Sequence, residues 1–206
     1  MLNIYKPNNF FLLVILSAIW GSAFFAIKVC LDSFSPTSIA SLRLIIASLF
    51  LIFFFYIQKK KIIFTKKIFF LLLLIGIIGN FVPFFLISWA EQFIPSSTAG
   101  MLMAIGPIIT LIMSHFLTKN DKFTFIKFSS IMVGFIGVLF IFNLNNFNNL
   151  LTNNYINLVA KILVIFAAFG YMFSNILAYE KLNMIDSFTI TTFSTTFGAI
   201  FSIPFF

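Results

Sequence analysis

Apolar residues in this chain fall in long unbroken runs separated by short polar breaks, with neither the alternation of a half-buried strand nor the stripe of a soluble amphipathic helix. Seven runs stand out: Phe10 to Leu31, Ser38 to Ile57, Ile68 to Trp89, Ser97 to Leu117, Phe125 to Phe142, Leu158 to Tyr179 and Phe188 to Phe206. A helix of about 20 residues rising about 1.5 Å per residue crosses a hydrocarbon core of about 30 Å. Backbone groups in lipid must be paired within their own segment or a closed barrel, and barrel strands would alternate, so the runs predict helices. The first run exceeds the apolar stretch of a signal peptide, about 7–15 residues, and no Ala-x-Ala site follows it. The expected fold is an all-α integral membrane bundle of about seven spans.

Composition agrees: 61% of the residues are hydrophobic and 9% charged, which excludes a water-soluble enzyme of this length. The net charge of +8 would suggest nucleic acid as a partner until the cations are placed on the spans. Lys6, Lys59, Lys60, Lys61, Lys66, Lys67, Lys119, Lys122, Lys127 and Lys181 all fall at one side of the predicted membrane, while the opposite connections, Asp32 to Thr37, Ala90 to Ser96 and Asn143 to Asn157, hold no Lys or Arg. By the positive-inside rule the N-terminus is cytoplasmic and the protein is a multi-pass component of the cytoplasmic (inner) membrane. The partners expected are the lipid bilayer and a small molecule rather than nucleic acid, with a homodimer left open.

Catalytic chemistry has little material. Cys30 is the single cysteine and His115 the single histidine, and no metal-ligand spacing, phosphate loop or nucleophile–base set occurs, so no enzyme, metal or cofactor is expected. The residues that draw interest are polar ones inside the spans. Lys28 lies about 5 Å below the outer end of the first helix and Arg43 about 8 Å below that of the second. Charges within a span face a cavity or a partner, and the pair suggests an outward-facing vestibule for a carboxylate or other anion. The alternative is snorkelling to the interface, with Asp32 as counter-ion. Glu91, at the outer end of the third helix, is a partner for these cations, a proton-coupled gate or a hydrated loop carboxylate. Asn80 and Pro83, with Gly106 and Pro107, lie nearer the midplane, where weakened helices hold substrate in transporters or merely pack against neighbours. Ser17/Gly21, Ala18/Ser22, Gly76/Gly79 and Gly134/Gly137 are expected to permit close helix contact. His115 reads as an interfacial histidine near Lys119.

The longest break contains Asn143, Asn145, Asn146, Asn148, Asn149, Asn153, Asn154 and Asn157 and reads as a solvated linker on the outer side. It divides the chain into a five-helix unit over 1–143, a linker over 144–157 and two further helices over 158–206. Sliding the second part onto the first places Tyr171 under Trp20 and Tyr179 under Lys28, with helices one and six running in opposite directions. A repeat of opposite orientation with an odd helix count is a transporter architecture. Trp20 and Tyr171 could then line one central cavity, or simply pack.

Trp20-Gly21-Ser22 with Lys28, then Pro36 and Arg43, resembles the start of the EamA-type drug/metabolite transporter superfamily. So do Trp89-Ala90-Glu91-Gln92-Phe93-Ile94-Pro95-Ser96-Ser97 leading to Gly106-Pro107, then His115-Phe116, Asp121-Lys122, Lys127 and Gly134-Phe135-Ile136-Gly137-Val138. These landmarks follow in order over Trp20 to Val138, and more loosely to Pro204. The resemblance implies a ten-helix protein of two inverted five-helix repeats, both termini cytoplasmic, moving small metabolites by alternating access. Asp121 stands where the family often has Glu, and Ser129 or Ser130 where it often has Gly. The chain stops at Phe206, so three helices of the second repeat are expected to be missing.

The resulting expectation is a secondary-active exporter or permease for a small metabolite, an amino acid or other carboxylate, with Trp20, Lys28, Arg43, Asn80, Glu91, Pro107 and Tyr171 as candidate cavity residues. The alternatives are a non-transporting membrane subunit or inactive truncated fragment, and a membrane-embedded transferase.

Overall fold

The computed structural model describes residues 7–60, 65–119, 121–141 and 154–206. Lys6, Lys61 and linker positions 144–153 lie outside the described residues. The described residues are helical throughout, with no strand among them: α1 (Pro7–Cys30), α2 (Pro36–Ile57), α3 (Lys66–Ile75), a π-helical segment (Gly76–Phe81), α4 (Val82–Ala90), α5 (Ser96–Met103), α6 (Gly106–Leu117), α7 (Phe125–Ile141), α8 (Tyr155–Lys181), α9 (Ser187–Ser202) and a closing 3₁₀ turn. Six stretches are long and apolar enough to cross a membrane: Asn9–Cys30, Pro36–Ile57, Lys66–Ala90, Ser96–Leu117, Tyr155–Lys181 and Ser187–Phe205. The chain is a polytopic helical membrane protein. α7, expected as a span over Phe125 to Phe142, is a shorter apolar helix of 17 residues. α8 starts at Tyr155, so the expected linker end at 155–157 is already helical.

Two spans are interrupted, each beside a proline. Pro83 has no N–H, so the Gly79 carbonyl loses its α-helical donor. The turn before it widens instead, with the Val82 N–H donating to the Ile77 carbonyl five residues back. In the fourth span Pro107 sits in the first turn of α6, and the chain ahead of it tightens: Ala104 N–H donates to Met101 O at 3.1 Å and Ile105 N–H to Leu102 O at 3.2 Å. Both bonds reach only three residues back, the 3₁₀ pattern.

The π segment lies at the centre of the bundle. α3 and the π segment pack between α8 and α9, α4 packs between α8 and α2, and α2 also runs along α9. Glycines permit this approach. A Cβ on Gly76 would collide with the Ser194 carbonyl of α9, one on Gly198 would stand 2.6 Å from the Gly76 carbonyl, and one on Gly170 of α8 would stand 2.7 Å from the Ile78 carbonyl. Gly79 presses on the Ser174 side chain. The close contact expected at Gly76/Gly79 is therefore present. At Gly21, Gly134 and Gly137 no atom of the described residues lies within 4 Å of an added Cβ, so the contacts expected there are not made among the described residues. Buried hydroxyls of α9 bond within their own helix: Thr192, Ser194 and Ser202 donate to the carbonyls of Phe188, Thr191 and Ala199.

The two ends of the bundle differ. At one, Lys60 pairs with Asp186 at 2.6 Å and Glu180 accepts from the Lys119 N–H at 3.3 Å. The connections before α3 and after α6 thus meet the α8–α9 connection, as the basic-residue pattern requires. Lys122 donates to the carbonyls of His115 and Thr118 at the end of α6, and His115 Nδ1 accepts from the Phe123 N–H, a fastening role for both. At the other end, the α1–α2 connection lies against the end of α4.

Asp186 caps α9, accepting from the Thr189 N–H at 3.2 Å and its hydroxyl at 2.6 Å. The bonds from Lys60 and Thr189 hold its carboxyl down at about 2. A depressed acid contributes stability above its unfolded value of 3.8 and loses it as pH falls through the folded one. The Asp186→Asn variant should accordingly be less stable in detergent thermal melts, by up to about 1 kcal/mol for the lost exposed ion pair with Lys60, with the gap closing between about pH 4 and pH 2. A second pair of variants tests the packing. Gly198→Ala should cost about 1–3 kcal/mol by overpacking, whereas Gly134→Ala should be neutral or stabilising by up to about 1 kcal/mol. Equal melting temperatures for the two would contradict the close approach at Gly76.

Candidate functional site

α1 meets the bundle only along its outer end: every residue from Asn9 to Ser22 is exposed, while Ile27 is buried. Ile27 joins Ile39 of α2, Ile87 of α4 and Ala167 of α8 in one apolar cluster, with Phe24, Leu86, Met103 and Tyr171 packed around it. The polar side chains gather beside this plug.

Lys28 is one residue past Ile27 and donates from Nζ to the main-chain carbonyl of Glu91. The last carbonyls of a helix have no intrahelical donor, and a cation there also complements the helix dipole. Lys28 therefore ties α1 to the end of α4, and Asp32, the counter-ion considered from sequence, is exposed in the connection. Glu91 itself is the last-turn cap of α4, one residue beyond the apolar span, and is fully buried. Among the described residues neither carboxyl oxygen has a hydrogen-bond partner, and nor does the buried Ser88 hydroxyl one turn earlier. Burial pushes the Glu91 carboxyl up to about 8, against the opposing pull of Lys28 first and Arg43 second.

Arg43 of α2 lies with its guanidinium carbon 4.2 Å over the Phe84 ring, a cation–π contact. Phe84 in turn meets Tyr171 of α8 edge-on at 5.9 Å. Among the described residues the guanidinium makes no hydrogen bond or ion pair, yet it lies within electrostatic reach of Glu91 and Tyr171. The aromatic face thus holds Arg43 in place and leaves its planar N–H fork unused.

Four of the sequence-predicted residues therefore converge, from four different spans: Lys28, Arg43, Glu91 and Tyr171. Trp20 does not join them. It shares a helix face with Phe24 and Ile27 but stands 65% exposed, because α1 leaves the bundle below Phe24. Pro107 shapes the break between α5 and α6 while its own side chain is exposed. Asn80 lies in the π segment, about 16 Å before Glu91 along the span, with its Cβ against Gly198. Sequence reasoning passed over Phe84 and Ser88, although Phe84, Ser88 and Glu91 follow the i, i+4, i+7 spacing of one helix face. It also passed over Lys161, a single cation in the outer half of α8 that is only 8% exposed. An isolated lysine within an apolar run was the available signal.

The profile of the EamA-like transporter family matches residues 9–143, well over half of the chain. The chain belongs to this family. All the landmarks from Trp20 to Val138 lie within the matched stretch. Relatives of this EamA protein include an uncharacterized transporter encoded in the trpA 3' region of Buchnera aphidicola subsp. Schlechtendalia chinensis, 31% identical over 61% of the chain and 41% of the relative. The uncharacterized transporter YoaV of Bacillus subtilis is 26% identical over 94% of the chain and 64% of its own length. An uncharacterized transporter of Archaeoglobus fulgidus is 27% identical over 90% of the chain and 63% of its length. The chain thus spans less than two thirds of the length of these relatives. No solved structure gives a significant match.

Proposed function

We propose that this EamA protein carries a small metabolite across the cytoplasmic membrane by alternating access, as a secondary-active transporter with its N-terminus on the cytoplasmic side. The reading places the Lys28–Arg43 end of the bundle outward, by the distribution of lysines, and takes the two five-helix repeats as the moving units. The second repeat is represented in this chain by α8 and α9.

The observation that carries the proposal is the meeting of Lys28, Arg43, Glu91 and Tyr171 beside an apolar plug. Two cations, one of them with an unengaged guanidinium, offer an anionic group charge-assisted hydrogen bonds, while Phe84 and Tyr171 offer an aromatic wall. Such a place fits a carboxylate with an apolar body, an amino acid among them. The plug of Ile27, Ile39, Ile87 and Ala167 packs among these groups and surrounds the charges with apolar side chains. A homodimer of this chain would be compatible with the exposed inner half of α1.

The test is flux of radiolabelled leucine and benzoate into proteoliposomes, the second sharing the carboxylate but lacking the ammonium. Loss of a hydrogen bond to a charged group weakens binding by about 1.5–3 kcal/mol, so Arg43→Ala should cut transport about ten- to hundredfold with normal insertion. Arg43→Lys should recover only part, having no planar fork. Saturable flux that is unchanged in both Lys28→Ala and Arg43→Ala would remove the anion site from the mechanism. No saturable flux of any probe would favour a non-transporting subunit.

A further inference from the structure

The Glu91 carboxyl is the unusual group in the site. It is fully buried, and among the described residues neither of its oxygens has a donor and the buried hydroxyl of its neighbour Ser88 has no partner. An ionised carboxylate in such surroundings would lack every hydrogen bond that normally offsets its desolvation, whereas the neutral acid costs far less to bury. Two cations are nevertheless within reach. Lys28 approaches the Glu91 main-chain carbonyl rather than its carboxyl group, and Arg43 is held on Phe84. Both are left without an anion.

The charged and titratable groups facing Glu91 come from three helices. α1 supplies Lys28, and Cys30 near Arg43; α2 supplies Arg43; α8 supplies Tyr171. α5 has no titratable side chain, and Asp32 of the α1–α2 connection is exposed. Lys161 of α8 is not among the charges acting on Glu91 and has an interaction of its own. The local balance is therefore two positive charges against one acid whose charge depends on pH.

Resting on the anion site proposed above, we infer that a proton on Glu91 and an anion at Lys28 and Arg43 bind cooperatively, so that the transported anion brings a proton into the site with it. When Glu91 is neutral, both cations are free for the incoming anion, and the carboxyl O–H can donate to it or to Ser88. When Glu91 ionises, releasing its proton to water, its carboxylate competes for the same cations and repels the anion. Two ligands that favour each other in this way must do so reciprocally: low pH raises anion affinity, and the bound anion raises the carboxyl's proton affinity. The upward displacement of the carboxyl to about 8 puts the transition where a modest pH difference across a membrane would act on it.

The test uses the full chain in nanodiscs and benzoate as probe, since benzoate stays charged throughout the neutral range. Infrared difference spectra of wild type against Glu91→Gln should show a protonated carboxyl that titrates near 8. Saturating benzoate should move that midpoint upward. Benzoate affinity should fall about five- to tenfold between about pH 7 and pH 9 in wild type, and should be nearly flat in Glu91→Gln. If the Gln variant does not insert, Lys28→Met serves instead, because removing a cation should raise the midpoint. A Glu91 already ionised at neutral pH overturns the inference whatever benzoate does. So does Arg43-dependent benzoate binding that leaves the midpoint in place. Absence of benzoate binding at every pH removes the anion site and the linkage with it, and the persisting infrared band then shows that the failure lies with the anion site.

Discussion

A helix in lipid must satisfy its own backbone, and a proline inside one withdraws a donor that no water replaces. The third span meets this constraint at Pro83 with a wider turn over Gly76–Phe81, and the rest of the bundle is arranged around that turn. Its exposed carbonyls are covered by α8 and α9, which come near enough only because Gly76, Gly170 and Gly198 carry no side chain. Dispersion across these contacts, rather than expulsion of water, is what holds helices together in a membrane. The centre is accordingly small-residued and dense, and bulky side chains are left to the lipid-facing surface, as Phe50, Phe70 and Phe140 are.

The polar site follows from this arrangement. With α4 set between α2 and α8, its first turn brings Phe84 under Arg43 and against Tyr171. α1, fastened only near its outer end, adds Lys28 to the end of the same helix. Of the helices that bear these groups, α4 packs closely against both α2 and α8, while α1 joins them only near Lys28.

Much of this was legible in the sequence. The spans and the placement of Lys28, Arg43 and Glu91 toward the same end of the bundle follow from run lengths, because lipid imposes one length on every crossing. The Gly76/Gly79 contact followed from small-residue spacing, but the same spacing at Gly134/Gly137 did not produce a contact among the described residues. Spacing describes what a helix face permits and not what lies opposite it. Trp20 was paired with Tyr171 through an internal repeat, and the lean of α1 away from the bundle, a tertiary feature, separated them. The orientation of Lys28 toward a main-chain carbonyl rather than Asp32 depends on where α4 ends in space, which no local pattern encodes.

The wide turn has a further consequence for the register of the span it interrupts. One residue more per turn rotates everything beyond it by about 100° relative to a continuous α-helix. A helical wheel drawn straight through Lys66–Ala90 would therefore misplace the outer half, where Ser88 lies, and Glu91 just beyond it. The two halves are phased separately, so loss of a single residue between Gly76 and Phe81 would let the wide turn close to a regular α-helical one while α3 and the Glu91 end keep their faces. The span is in effect two helices with independent azimuths, joined where the chain is packed most tightly.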